Sequence, residues 1–379
     1  MIYDEFSPSR TRRTLTAGGR TLRALGLDGP LTGVLAIIVF IGILVVYSAS
    51  GQNWKMVQHH LVNIGIAVTA MLALAKFATP QYLRMFAPIA YVVGVLLLIV
   101  VDVTGHVGKG AQRWLDIGFM RFQPSEIMKL AVPMACAWYM HERPLPPTFL
   151  DLVVMGVLIA IPTAMIVTQP DLGTALLIAA SGLIVMLLAG LQIRLILIAI
   201  PLLGAAAWGA WHFIHDYQRQ RILMFLNPET DRLGAGYHII QSQIAIGSGG
   251  LFGKGYMNGS QAQLEFLPER STDFIFAVIG EEFGLLGQLL ILALYGVVIG
   301  RALYLAVQAQ GTFARLTGGA VALSFFVYVF VNSGMVSGIL PVVGVPLPLI
   351  SYGGTSMVTL LAGFGILMSL HSHRKLIGS

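Results

Sequence analysis

Long apolar runs alternate with short polar connections along this chain, and the length of the runs sets the architecture. A helix needs about 20 apolar residues to cross a bilayer. Ten stretches are that long, near 31–50, 57–75, 82–101, 123–141, 149–168, 172–189, 192–212, 272–300, 314–334 and 351–370. Leu, Ile, Val and Ala fill them, with the scattered Gly and Pro that membrane helices tolerate. The pattern predicts an all-α integral membrane protein: ten transmembrane helices over 31–371, a basic tail over 1–30 and a short tail over 372–379. Residues 213–270 are too polar to span and predict a large loop between helices 7 and 8. Within that loop, Tyr237, Ile240 and Ile244 share one helical stripe, as in a helix lying in the membrane interface. Gly247, Gly249, Gly250, Gly253 and Gly255 follow around Lys254, and predict a mobile connection able to act as a lid.

Composition agrees with this reading. Of 379 residues, 56% are hydrophobic and the mean hydropathy is +0.80, more than a soluble domain of this size needs for one core. The single cysteine, Cys136, permits no internal disulfide. The mostly polar residues ahead of the first span lack the pattern of a cleaved signal peptide.

Charge then orients the chain. The N-terminal tail carries Arg10, Arg12, Arg13, Arg20 and Arg23, alternate short loops carry Lys76, Arg84, Arg143, Arg194, Arg301 and Arg315, and the end carries Arg374 and Lys375. Basic residues favour the cytoplasmic side, so both termini are expected there. Lys109, Arg113, Arg121, Arg219, Arg221, Arg232, Lys254 and Arg270 fall outside instead, an excess that anion binding explains. The net charge of +6 comes without interleaved aromatics, so anionic lipid or phosphate is the expected partner and nucleic acid is not.

The candidate chemistry sits in the polar connections. Asp273 is the last polar residue before the apolar run of the eighth span, where a carboxylate is expensive and marks a functional site; Arg270 is its nearest candidate partner in sequence. Capping by Ser271 or Thr272 would place Asp273 in the first helical turn, and a plain helix-start role is the bland alternative. Glu281 and Glu282 lie deeper and on other faces, and read as buried packing or hydrogen-bonding residues. Glu126 and Lys129 lie on one helix face about 4.5 Å apart along the axis. They either neutralise each other or present Lys129 to a phosphate while Glu126 orients it or a sugar hydroxyl. Asp171 reads as the cap of the sixth helix or, opening to the same side as Asp273, as one of three carboxylates that converge there with Glu126. The glycine-rich loop 102–121 holds Arg113 and Trp114, either as a headgroup-anchored interfacial turn or as backbone that approaches a ligand. His59 and His60 read as interfacial residues, because no Cys or carboxylate stands at ligand spacing. From Asn332 to Ser356 three prolines, Pro341, Pro346 and Pro348, interrupt the apolar run and predict a broken, re-entrant segment beside a cavity.

Five motifs in order then carry a resemblance: Lys-Gly-Ala-Gln-Arg-Trp at 109–114, Gln-Pro-Ser-Glu-x-x-Lys at 123–129, Gln-Pro-Asp-Leu-Gly-Thr at 169–174, Thr-Asp-Phe-Ile-Phe-Ala at 272–277 and Ser-Tyr-Gly-Gly at 351–354. From about residue 31 onward the chain resembles the SEDS family (shape, elongation, division and sporulation), and Leu-Pro-Glu-Arg at 267–270 resembles its RodA branch. The resemblance implies a ten-helix peptidoglycan glycosyltransferase of the bacterial cytoplasmic (inner) membrane, with an extracytoplasmic active site. It would polymerise lipid II during cell elongation and rod-shape maintenance, beside a class B penicillin-binding protein and other elongation-complex membrane proteins. The family's functional aspartate matches Asp273, and its other polar motif positions match Glu126, Lys129 and Asp171. Ser271 departs from the pattern, which often has His there.

Such a reaction joins the sugar 4-hydroxyl of one lipid II to the anomeric carbon of the growing chain, inverts the configuration to β-1,4 and releases undecaprenyl pyrophosphate. Asp273 is the expected general base. Arg113, Lys129 and Arg270 are expected on the pyrophosphate, and Trp114, Glu126 and Asp171 complete the substrate site. No cofactor is certain and no metal-ligand spacing appears, although a divalent cation (Mg2+ or Mn2+) bridging carboxylate and pyrophosphate fits the chemistry. A flippase for the same lipid-linked precursor, or a scaffold recruiting the crosslinking enzyme, would share the polar cavity without the reaction.

Overall fold

The computed structural model describes residues 25–104, 106–108, 111–116, 121–192, 235–264, 266–267 and 269–373, with scattered positions between 194 and 209. Between 104 and 122, side chains are described only for Trp114 and Leu115. In chain order the elements are α1 (Gly29–Ala49), α2 (Trp54–Phe77), α3 (Pro80–Thr104), β1 (His106–Gly108), β2 (Ala111–Asp116), β3 (Arg121–Phe122), α4 (Pro124–Met140), α5 (Phe149–Thr168) and α6 (Leu172–Leu188). They continue with α7 (Ala235–Gly249), α8 (Ser260–Gln263), α9 (Ile275–Gln308), α10 (Thr312–Val336) and α11 (Gly354–Ser372). Among the described residues, 7 helices are long and apolar enough to cross a membrane: α1, α2, α3, α5, α9, α10 and α11. Every predicted span except the seventh coincides with a helix; most of 192–212 lies outside the described residues, as do 213–234 of the predicted loop and 1–24 of the tail. The two shorter helices differ in setting: α4 is buried along almost its whole length, and α6 packs against α4, α5 and α10 while leaving Leu176, Leu183 and Leu187 exposed.

Two apolar clusters hold the bundle. One gathers α1, the last turns of α2, α9, α10 and α11 around Tyr295, Phe325 and Phe364. The other gathers α3 to α6 with the first turns of α10 around Met128, Met140 and Met155. Apolar side chains such as Phe40, Val62 and Val103 stay exposed on the rim, where hydrocarbon solvates them. The start of α1 is tied to α9: Asp28 accepts from Leu31 N at 3.0 Å as its cap, and Arg301 grips the same carboxylate at 3.0 and 2.8 Å. Although α2 and α3 are consecutive, they scarcely touch; α2 packs on α11 and α3 on α4.

Three differences from the sequence reading have physical causes. The 102–121 connection is more than a turn, since β1, β2 and β3 form an antiparallel meander over its middle. The eighth span begins at Ile275 with Phe274 at its cap position, so Asp273 precedes the helix, and neither Ser271 nor Thr272 caps it. The glycines after α7 form a close-packed interlock where a mobile lid was expected. At Gly284 (φ 67°, ψ −165°) the helix α9 breaks, and the freed backbone groups are taken by the preceding loop. Lys254 N and Gly255 N donate to Glu281 O and Glu282 O at 3.0 and 2.9 Å, while Leu285 N and Leu286 N donate to Gly250 O and Leu251 O at 2.9 and 3.2 Å. A Cβ on Gly253 would sit 2.1 Å from Glu282 O, which requires glycine there. Glu281 and Glu282 are the buried hydrogen-bonding residues expected. Glu281 accepts from Lys254 Nζ at 2.7 Å, Gln261 N at 2.9 Å and Ala262 N at 3.2 Å, and Glu282 accepts from Ser48 Oγ.

The α7 helix is present as expected. It buries Ile239, Ser242, Ala245 and Gly249 against α9 and α10, so Ile244 of the predicted stripe faces outward with Leu251 and Phe252.

Candidate active site

The segment 337–353 carries no helix, and its buried backbone finds partners inside the protein, as a broken segment within a membrane requires. Tyr295 Oη donates to Pro348 O at 2.6 Å and Leu347 N donates to Ser351 Oγ at 2.8 Å. This segment wraps the residues leading into α9. Tyr352 N donates to Ser271 O at 2.8 Å, Ser351 Oγ to Thr272 O at 2.6 Å and Asn332 Nδ2 to Asp273 O at 2.8 Å. Asp273 is half-buried, and a Cβ built on Gly344 would lie 3.5 Å from its Oδ2.

A second polar cluster heads α4 and α6. Glu126 and Lys129 are both buried and pair at 2.7 Å. Glu126 borders a cavity of about 860 Å3, while its Oε2 is buried without a hydrogen-bond partner. Lys129 borders a separate void of about 30 Å3, with Nζ 5.3 Å from the centre of the Tyr328 ring. Asp171 is buried and caps α6, accepting from Thr174 N at 3.2 Å, and also accepts from Gln123 Nε2 at 3.3 Å. Tyr328 and Asn332 stand four apart on α10, about 6 Å along the axis. One helix therefore carries the side chain that meets Lys129 and the side chain that meets Asp273.

The large cavity fills the gap between α2 and α3. His59, Asn63 and Ile66 of α2, Ala90 of α3, Trp114 of β2, Glu126 of α4, and Tyr352, Thr355 and Thr359 border it. Trp114 is half-buried against it, as a residue touching substrate would be. Arg113 lies on β2, and its side chain is outside the described residues. The Arg270 guanidinium donates to Ala262 O and lies near Gly51, where an added Cβ would be 3.6 Å from it. His60 is fully buried, its ring tilted 36° to that of Tyr352 with centroids 5.8 Å apart. Among the described residues no group of three His, Cys, Asp or Glu side chains gathers to hold a metal ion.

Two expected outcomes follow from these contacts. Lys129→Met would leave Glu126 as a buried, unmatched carboxylate, at a cost of about 3–5 kcal/mol. Pairing it with Glu126→Gln would recover most of that stability, read as the thermal midpoint in detergent. The second concerns His238, whose ring stacks on Phe274 at 5.7 Å. Burial holds its pKa below the ordinary value of about 6.5, with Glu269 opposing. The unfolded chain then binds the proton more readily, so this contribution is intact above about pH 6.5 and fades as pH falls. The thermal midpoint of His238→Phe should depend less on pH below that point than that of the wild-type chain.

The sequence marked Asp273, Glu126, Lys129 and Asp171, but it gave no reason to choose Tyr328, Asn332, Ser351 or Tyr352. The available signal was two polar residues four apart in the apolar ninth span, together with the hydroxyls of the Ser-Tyr-Gly-Gly turn.

Residues 30–376 match the model of the FtsW/RodA/SpoVE cell cycle protein family. The chain belongs to that family. It is 52% identical over 352 residues to the peptidoglycan glycosyltransferase MrdB of Escherichia coli (strain K12), covering 93% of this chain and 95% of the relative. It is 40% identical to the protein of the same name from Helicobacter pylori (strain ATCC 700392 / 26695), over 75% of each chain. The fold is similar to a chain from a peptidoglycan synthase complex described as coordinating polymerization and crosslinking, with a TM-score of 0.83, 31% identity, and coverage of 92% of this chain and 98% of that one. It is also similar to the rod shape determining protein RodA of Thermus thermophilus, with a TM-score of 0.70, 28% identity, and coverage of 92% and 98%. The family places the apolar helices in a multi-pass membrane protein.

Proposed function

We propose that this chain is a peptidoglycan glycosyltransferase that polymerises lipid II, with Asp273 as general base. The observation that carries the reading is the position of that carboxylate: half-buried just before α9, beside Gly344, and two residues after Ser271, whose carbonyl accepts from the cavity-lining Tyr352. In the proposed reaction Asp273 takes the proton of the acceptor's sugar 4-hydroxyl as that oxygen attacks the anomeric carbon of the growing chain. The C–O bond to undecaprenyl pyrophosphate breaks, the configuration inverts to β-1,4, and the pyrophosphate leaves with the bonding electrons. The cavity accepts the start of a polyprenyl tail laterally between α2 and α3, because these helices scarcely touch and its lining is mostly apolar.

Roles on the pyrophosphate divide by geometry. Arg113 and Trp114 lie on β2, and Trp114 borders the cavity. Lys129 matches the charge of Glu126, whose residue borders the substrate cavity. Asp171 fixes the heads of α4 and α6 through Gln123, and Arg270 fixes the approach to Asp273 through Ala262. A divalent cation, Mg2+ or Mn2+, would supply this reading with charge neutralisation for the leaving pyrophosphate; loss of polymerisation on chelation by EDTA tests that part.

The reading sets the chain in the bacterial inner membrane with ten helices, both termini cytoplasmic and the Asp273 face extracytoplasmic. Its partner there is a class B penicillin-binding protein within an elongation complex. The deciding experiment is incubation of the purified chain in detergent with labelled lipid II, with and without that partner. Glycan strands are expected where there is no membrane to cross; a flippase or a scaffold would make none.

A further inference from the structure

The residues on either side of the proposed base belong to a local turn, with Thr272 N and Phe274 N donating to Glu269 O at 3.1 and 3.3 Å. Asp273 lies one position before the Phe274 cap, which has no side-chain capping bond, so the first turn of α9 does not hold it. Three consecutive carbonyls, of Ser271, Thr272 and Asp273, are instead held from across the bundle, and the last of them by Asn332. The Asn332 amide uses both its hydrogens: one goes to Asp273 O at 2.8 Å and the other to Val345 O at 2.7 Å. The side chain is fully buried, and its Oδ1 has no partner. A buried amide that leaves its acceptor unmatched while both donors are used is placed for those donors, since an unmatched polar atom is itself unfavourable. Two carbonyls converge on one point there, and among side chains of that size only an Asn amide offers two N–H groups to them.

We propose that Asn332 is the positioning residue for Asp273. One amide holds the peptide of the base and, through Val345, the neighbour of Gly344, the residue against which the carboxylate lies. Base and wall are thereby set relative to each other by a single group on α10, one turn from the Tyr328 that meets Lys129. This inference rests on Asp273 being the base, and its test separates the two.

The test uses the full chain purified in detergent, with labelled lipid II, comparing wild type, Asp273→Asn and Asn332→Leu. Asn332→Leu keeps the approximate shape and removes both donors. The expected result is a kcat lower on the order of 10²-fold, as small misplacements of a catalytic group give. KM should change little, and the acid limb of the kcat profile should move, since that limb reports the base in the bound complex. A purely structural role would lower the active fraction without moving the limb. Wild-type kcat in Asn332→Leu beside an inactive Asp273→Asn overturns this inference alone, as does a raised KM with an unmoved limb. Activity in Asp273→Asn overturns the function and this inference together. If Asn332→Leu does not accumulate folded, Asn332→Ser, which keeps one donor, decides by the same readouts: a lowered kcat with a moved limb supports the role, and an unmoved limb overturns it.

Discussion

Asp273→Asn is expected to accumulate as a folded membrane protein whose polymerisation of lipid II is lower by about 10³-fold or more. The substitution keeps the size of the side chain and removes its ability to take a proton, and general-base contributions reach 10²–10⁴-fold. Folding should be spared because the contacts that place this residue run through its main chain. Asn332 holds the carbonyl of Asp273, and Ser351 and Tyr352 hold the two carbonyls before it. Thermal midpoints in detergent should agree within about 2 °C, the shift of a surface-scale change of about 0.5 kcal/mol in a chain of this size. Unchanged polymerisation by the purified variant would remove the base from the mechanism.

Much of this was legible in the sequence, and the limits have physical causes. The spans could be read because length and apolarity decide insertion locally, and Asp171 could be read as a cap because its bond to Thr174 N reaches only three residues. The break after α10 followed from its prolines. The start of α9 was misplaced because its approach is held by Asn332 and Ser351, which lie 59 and 79 residues away from their partners, and no local pattern records such a contact. Helical spacing put Glu126 and Lys129 on one face but could not show that the pair is buried, with Glu126 bordering the cavity and Lys129 over the Tyr328 ring. The glycines from 247 to 255 show in sequence only as missing side chains. Two of them, Gly249 and Gly253, make room for the backbone of α9, and that is visible only in three dimensions.

Gly284→Ala is the second large effect expected. At φ 67° and ψ −165° this residue occupies backbone space open essentially to glycine. An added Cβ would also lie 2.4 Å from Gly253 N and 2.6 Å from Leu251 C, both main-chain atoms that cannot swing aside. Strain and overlap together should destabilise the fold by about 4 kcal/mol, enough to reduce accumulation in the membrane. Gly296→Ala is the matched control in the same helix. A Cβ there meets nothing within 4 Å, so the midpoint should hold or rise. Equal midpoints for the two variants would mean that the interlock with the preceding loop contributes nothing to stability.

The near-absence of contact between α2 and α3 bears on how activity is to be measured. A binding groove open to the bilayer is always filled, by phospholipid or detergent when not by a polyprenyl chain. Occupancy then follows the mole fraction of substrate within the lipid or micelle phase rather than its bulk molarity. Diluting the surface with inert amphiphile at fixed total substrate should slow turnover, while diluting the whole sample with buffer should not.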